Sequence, residues 1–217
     1  IVTGDWSSDV CSSDLTIWAG SVTRYLLGSM AMNIDRLLQQ SGGSATIPPV
    51  DTWQPELTGD IDIRIQADGT WLHEGKPFAR PAIAKVLASL LRRDAEGYCL
   101  VTPAERWRVS VEDRPLVIVE ADFRDDAWWL TTQFEDVVRL DADHPLSLSM
   151  TPEGDLAPEC AIRFGLAARL HRNVFYRLVE QARVEEAASG QTVCRLYSAG
   201  SWHPLGQWSD SLPSEAP

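Results

Sequence analysis

The sequence predicts an α+β fold with antiparallel sheets, built from duplicated strand-turn-strand-helix units, and three observations predict it. Ile61, Ile63 and Ile65 alternate with Asp62 and Arg64, the period of a strand with one buried face. Ile83, Val86, Leu87, Leu90 and Leu91 recur at helical spacing and form one broad apolar face. After Gly97, short apolar segments are separated by turn-rich pieces such as Glu112-Asp113-Arg114-Pro115, the pattern of an antiparallel meander.

In chain order, residues 1–29 are expected to be a non-native segment, and the first fifteen follow neither structural period. Trp6 to Leu15 repeats Ser-Ser-Asp and reads like the in-frame translation of a sequencing-adapter oligonucleotide. Val2 to Leu15 is therefore expected to be an assembly artefact and Thr16 to Ser29 upstream read-through, with translation starting at Met30 or Met32. A secretory signal does not fit, because no basic region precedes the apolar part and no orderly small-residue cleavage site follows it. Residues 30–47 are expected to hold a short helix, Asn33 to Gln40, and a linker broken by Ser41-Gly42-Gly43-Ser44. A first half then spans 48–113, a second half 114–206, and a polar, proline-bearing tail 207–217, expected to be disordered.

Pro48-Pro49 forces extended backbone into the first half. Asp68-Gly69 supplies the turn after the isoleucine strand, and Trp71 to His73 returns as its partner. A helix is predicted from Arg80 to Arg93, with Pro81 in its first turn and Arg92 and Arg93 opposing the C-terminal end of its dipole. Strands follow at Tyr98 to Thr102, Trp107 to Glu112, Leu116 to Asp122, Trp128 to Gln133, Val137 to Leu140 and Leu146 to Met150. A long helix is predicted from Arg163 to Ala182, striped by Leu166, Leu170, Val174 and Leu178, and a last strand from Val193 to Tyr197. The segment Ile61 to Trp71 aligns without a gap on Leu146 to Leu156, strand on strand and acid-Gly turn on acid-Gly turn, which is the signal for an internal duplication. Two such halves meeting face to face would leave a cleft between them, a usual seat for a small molecule.

Composition narrows the function. The chain has 217 residues, 44% hydrophobic and 23% charged, and a formal charge of −12. So acidic a chain lacks the dense basic footprint of a duplex nucleic-acid binder. No apolar run approaches the roughly 18 to 20 residues that span a bilayer, so neither a membrane nor duplex nucleic acid is expected as a partner and a cytoplasmic location is. Cys11, Cys99, Cys160 and Cys194 form no C-x-x-C pair and have no histidine at ligand spacing. No metal and no cofactor are expected, and Cys99 reads as a small buried thiol. No Gly-rich phosphate loop, G-x-S-x-G or H-E-x-x-H occurs.

The chain resembles the bacterial family catalogued as domain of unknown function 1285, on Pro48-Pro49-Val50 with Trp53, Gly59 to Ile65, Pro77-Phe78-Ala79-Arg80, Leu100 to Glu105, Glu112-Asp113 with Pro115, and His144-Pro145-Leu146. The resemblance implies a duplicated α+β core and a second half loosely similar to pleckstrin-homology-like folds. It also implies a nucleotide-like ligand at the interface of the halves and a role in signal transduction. The chain departs from the family at Thr132-Gln133-Phe134-Glu135-Asp136, where the family tends to have an Asn and a Gly before an Asp.

Five residues are candidates for ligand contact: Arg64, Arg80, Thr102, Glu105 and Arg163. A guanidinium fork suits phosphate or carboxylate, which singles out Arg64 on the polar face of its strand, Arg80 at the start of the first helix, and Arg163 as its expected mirror. Ordinary surface pairing with Asp60, Asp62 or Glu112 competes for those arginines. Thr102, before a Pro103 that would hold the loop stiff, offers either a hydroxyl to a ligand or a cap to its own segment, and Glu105 follows in the same loop. The function expected from these features is non-enzymatic binding of a small, nucleotide-like ligand between the halves, in a regulatory or signalling role. The alternatives are a hydrolase or transferase using Asp60, Asp62, Glu112 or Asp113, or a protein-interaction module using Trp128 or Trp202.

Overall fold

The structure, a computed structural model, describes residues 47–186 and 190–209. The expectations for residues 1–29, for the helix and linker up to Thr46, and for most of the 207–217 tail lie outside the described residues.

The first half forms one six-stranded sheet. Its elements are β1 (Leu57–Ile65), β2 (Trp71–His73), β3 (Lys76–Pro77), α1 (Pro81–Ser89), β4 (Leu91–Asp94), β5 (Gly97–Val101) and β6 (Arg106–Val111). The strand order is β3-β2-β1-β6-β5-β4, and every pair is antiparallel except the central β1 and β6, which run parallel. The alternation in β1 does what its period requires: Ile63 and Ile65 are buried while Asp60, Asp62 and Arg64 are exposed. Each such isoleucine contributes about 1.5–3 kcal/mol over leaving it in water. The β1–β2 turn closes through Thr70 N donating to Asp68 Oδ1 at 2.8 Å and through Gly69 at φ +85°.

Helix α1 buries Ala84, Leu87 and Ala88, begins at Pro81 with Arg80 in an extended N-cap conformation, and stops at Ser89 rather than at the predicted Arg93. Tertiary pairing ends it. Leu91 to Asp94 peel off as β4 against β5, and the Arg92 side chain turns inward to donate to Val50 O at 2.7 Å and Trp53 O at 2.8 Å. Leu90 at the helix C-cap and Leu91 at the start of β4 are buried as they would have been in a longer helix, so the apolar count could not separate the two.

The second half repeats the layout. β7 (Leu116–Arg124), β8 (Ala127–Thr132), β9 (Val137–Arg139), β10 (Leu146–Met150), β11 (Leu156–Arg163) and β12 (Leu166–Leu170) form a sheet in the order β10-β11-β12-β7-β8-β9. Again the first and last strands, β7 and β12, pair in parallel at the centre, and all other neighbours are antiparallel. The sheets are thus mixed rather than antiparallel. α2 (Arg172–Val179) follows β12, and β13 (Arg183–Glu186), β14 (Gln191–Ser198) and β15 (Ser201–Ser209) make a third, three-stranded sheet. The described chain is mostly sheet, with two short helices.

Two expectations are corrected here. The predicted Arg163 to Ala182 helix is a strand end, a two-residue turn at Phe164 (φ +48°) and Gly165 (φ +74°), strand β12, and only then a helix of eight residues. Leu166, Ala168 and Leu170 satisfy a period of two as well as Leu166 and Leu170 satisfy a helix, and pairing with β7 and β11 decides. The repeated unit is likewise not strand-turn-strand-helix. The aligned hairpins share a local register, Ile65 opposite Trp71 and Met150 opposite Leu156, but β1 lies at the centre of its sheet and β10 at an edge. What recurs is the six-stranded pattern, β1–β6 and β7–β12.

The halves are fastened together. Arg93 N donates to Phe164 O at 3.0 Å, Lys85 pairs with Glu135 at 2.6 Å, and Arg163 bridges Asp136 and Ala88 O. Gly69 packs so closely on the second half that a Cβ there would fall 2.7 Å from Val117 Cγ2.

Candidate functional site

The central pair of the first sheet is interrupted. Asp60 lies opposite Arg108 and Arg64 opposite Ser110, so Ile61, Asp62 and Ile63 face the single residue Val109. Three residues against one push β1 away from β6, and bulges of this kind re-aim side chains beside functional sites. A cavity of about 320 Å³ opens there, lined by Ile61, Asp62, Ile63, Arg64, Leu72, Gly75 and Ser110. That volume lies at the small end of ligand sites. Two ion pairs flank the bulge, Asp60 with Arg108 at 3.0 Å and Arg64 with Glu112 at 3.3 Å. The far wall is fixed by Glu74 N donating to Asp62 O at 3.3 Å, with Glu74 and Gly75 both in the left-handed region. The cleft combines Leu72 and Ser110, both opposite Arg64, with the Asp62 carboxylate and a guanidinium whose side chain keeps 60% of its surface in water. It can seat a small molecule carrying an anionic group.

The five expected contact residues are not brought together. Arg64 lines the cleft. Arg80 is exposed at the α1 N-cap and makes no capping bond with its side chain. Thr102 and Glu105 close the β5–β6 turn on each other: Thr102 Oγ1 accepts from Glu105 N at 3.0 Å, and Glu105 Oε2 accepts from Trp107 Nε1 at 3.2 Å. That turn precedes Arg106, which pairs with Leu57, at the opposite end of β1 from Arg64. Arg163 ends β11 and does not start a helix, so it does not mirror Arg80. Its fork is taken by Asp136, with Nε to Oδ1 at 2.9 Å, and by Ala88 O at 3.2 Å. Nor does Arg64 turn toward the second half, because the alternation that buries Ile63 and Ile65 points it outward to Glu112.

The junction of the halves has a chemistry of its own. In the Thr132 to Asp136 loop, Thr132 Oγ1 accepts from Asp136 N at 3.1 Å, Gln133 Oε1 accepts from Val117 N at 2.6 Å, and Phe134 stands edge-on to Trp71. Trp71 Nε1, Gln133 Nε2 and Arg163 Nη1 are buried there without an acceptor among the described residues. All three are donors, and all border this one loop.

Of the carboxylates behind the enzyme reading, Asp62 lines the cleft and shares the exposed face of β1 with Asp60, and each of the others is held by an arginine. Asp60 meets Arg108, Glu112 meets Arg64, and Asp113 is buried against Arg169. Burial pushes the thiols of Cys99 and Cys194 up from their ordinary value and that of Cys160 to about 12, which keeps them as thiols rather than nucleophilic thiolates. Among the described residues no group of three His, Cys, Asp or Glu could hold a metal, and no helix is long and apolar enough to cross a membrane. Trp128 is buried, while Trp129 lies under the Arg124 guanidinium at 4.5 Å. The bulge, Ser110 and Arg108 escaped sequence reasoning. The isoleucine alternation runs unbroken through Ile61 to Ile65, and a bulge shows only against its partner strand.

Residues 48–114 match the N-terminal domain of the domain of unknown function DUF1285, and residues 115–205 match the C-terminal domain of the same family. A crystal structure of a DUF1285 family protein from Silicibacter pomeroyi is similar, with 34% sequence identity and a TM-score of 0.67, over 78% of this chain and 93% of that one. A second, from Shewanella baltica, has 27% identity and a TM-score of 0.46 over 55% of this chain and 91% of that one. No curated protein matches. With both domains of the family matched in order along one chain, this protein belongs to the DUF1285 family.

Proposed function

We propose that this chain is a non-enzymatic binding protein for a small, nucleotide-like ligand, with a regulatory or signalling role, and that the ligand's anionic group lies on Arg64. One observation carries the reading: the three-against-one bulge between β1 and β6 coincides with a cavity lined by Arg64 and Ser110. Leu72, directly opposite Arg64, gives a flat ring an apolar surface, and the Arg64 fork donates to two oxygens of a phosphate once it leaves Glu112. The pair it leaves is exposed and contributes about 0–1 kcal/mol, so the exchange costs little.

A second seat for the same ligand is favoured by the three acceptor-less donors at the junction, Trp71 Nε1, Gln133 Nε2 and Arg163 Nη1. Buried donors of this kind call for an acceptor.

Thermal-shift titration of the full chain with 5′-AMP, ADP and ATP tests the reading. A ligand at one hundred times its Kd stabilises by about 2.7 kcal/mol. At this chain length that is a rise of roughly 5–10 °C. Arg64→Ala is expected to lower the apparent affinity about tenfold or more. No shift with any of the three at millimolar concentration would overturn the proposal.

A further inference from the structure

The third sheet presents a second constellation, on a surface separate from the Arg64 cleft. In β14, Cys194, Leu196 and Ser198 are buried, and in β15 so are His203 and Leu205. The alternate residues therefore face outward. Arg183 of β13 pairs directly with Arg195 of β14, and Tyr197 pairs with Trp202 of β15. Directly paired residues in antiparallel strands project on the same face, and so do residues two apart on one strand. Arg183, Arg195, Tyr197 and Trp202 thus share one exposed face.

Two like charges placed directly opposite each other are unfavourable in a sheet. Among the described residues neither arginine has a carboxylate within 4.0 Å, although Glu185 follows two residues after Arg183 on the same face. The Arg183 guanidinium lies 5.2 Å over the Trp202 ring, and Trp202 stands at 61° to Tyr197 with centroids 5.1 Å apart. Stacking holds the guanidinium plane while leaving its N–H groups to form a fork with an oxyanion. A cavity of about 360 Å³ opens between Gln181, Arg183, Tyr197 and Trp202. Among the described residues no other strand pair sets two arginines directly opposite each other, and a pair left facing each other beside aromatic walls is complementary to a doubly charged anion on a flat ring.

We infer that this face is a binding site for a phosphate monoester carried on a planar ring: Arg183 takes the phosphate, Arg195, directly across from it and outside the cavity lining, adds its charge, Gln181 adds an amide, and Tyr197 and Trp202 take the ring. The site is independent of the Arg64 cleft and stands or falls separately from it.

Calorimetric titration of the full chain with phenyl phosphate, inorganic phosphate and phenol tests the inference. In the Arg64→Ala background, which removes the other proposed phosphate seat, phenyl phosphate is expected to bind saturably at one site, more tightly than inorganic phosphate, with phenol far weaker than either. Arg183→Gln and Arg195→Gln should each weaken phenyl phosphate at least tenfold. Trp202→Leu should weaken phenyl phosphate while changing inorganic phosphate less than threefold. Arg124→Gln, which removes another arginine stacked on a tryptophan but with no second arginine opposite, should leave binding unchanged. Circular dichroism of each variant verifies folding, which substitution at these exposed positions should preserve. Absence of saturable phenyl phosphate binding would overturn the inference. So would equal affinity in the Arg183 and Arg195 variants, or loss of binding in Arg124→Gln.

Discussion

Arg169 grips Asp113 with both prongs of its fork, Nε to Oδ2 at 2.6 Å and Nη2 to Oδ1 at 2.9 Å, and so ties the segment leaving the first sheet to a central strand of the second. Its remaining N–H capacity goes to backbone, Nη1 to Ala157 O at 2.8 Å and Nη2 to Met150 O at 2.9 Å. Next to it, Arg114 holds Glu159 and donates to Ser149 Oγ at 2.9 Å. Both partners of the Asp113–Arg169 pair are more than nine-tenths buried, at 6% and 8% side-chain exposure.

Removing one partner of a buried pair strands the other's charge, so Asp113→Ala is expected to destabilise by about 3–5 kcal/mol. Glu112→Ala, one residue earlier but on the exposed Arg64 pair, is expected to cost less than about 1 kcal/mol. Urea unfolding of both variants checks this. Equal losses would show that the clasp contributes no more than a surface pair.

Gly69 and Gly75 separate two reasons for a glycine. Both have left-handed backbone, φ +85° and +73°, but a Cβ at 69 would meet Val117 at 2.7 Å while nothing lies within 4 Å at 75. Gly75→Ala should cost only the backbone term, about 1–2 kcal/mol. Gly69→Ala should add an overpacking penalty of about 1–3 kcal/mol at the junction of the halves. Thermal unfolding of the two variants measures the difference. Equal midpoints would mean that the junction yields to an added methyl.

His203 gives a pH dependence with a defined sign. Its buried ring accepts from Leu146 N at Nδ1, and desolvation holds its pKa below the usual 6.5 despite the opposing influence of Ser198 and the charge of Asp141. The unfolded chain therefore binds the proton more readily than the folded one. The stabilisation is fully present above about pH 6.5 and is lost as pH falls from there through the folded value. Asp141 acts in a lower window. Burial raises its pKa, but the amides of Asp143 and His144 and the charge of Arg139 prevail and lower it below 3.8, so its contribution is lost only in stronger acid. Unfolding free energy measured between pH 5 and 8 should fall toward acid in the parent chain and flatten in His203→Gln. An unchanged slope in that variant would assign the dependence to other groups.

Local features of the fold were legible where one strand or one turn decides them. The Ile61 to Ile65 alternation gave β1 its buried face, Asp68-Gly69 gave its turn, and Thr102 caps its own loop as its residue type favours. What was not legible depends on partners. Leu166, Leu170, Val174 and Leu178 recur every four residues whether the chain is helical or changes from strand to helix midway. The parallel pairs at the centre of each sheet join strands far apart in sequence, which no periodicity reports. The same limit applies to the site: Arg64 was visible as an exposed arginine on a polar face, but the bulge that opens a cavity beside it exists only because Val109 faces three residues at once. Arg183 and Arg195 gave no signal until β13 and β14 paired.

The central claim is that a nucleotide-like ligand lies on Arg64 in the gap between β1 and β6. A crystal structure of the full chain grown with whichever of 5′-AMP, ADP or ATP stabilises it most tests this directly. The expected result is a phosphate within hydrogen-bond distance (about 2.7–3.2 Å) of the Arg64 guanidinium, which has left Glu112, with the ring over Leu72. A ligand bound instead among Trp71, Gln133 and Arg163 at the junction, or an Arg64–Glu112 pair unchanged beside an empty cleft, would contradict it.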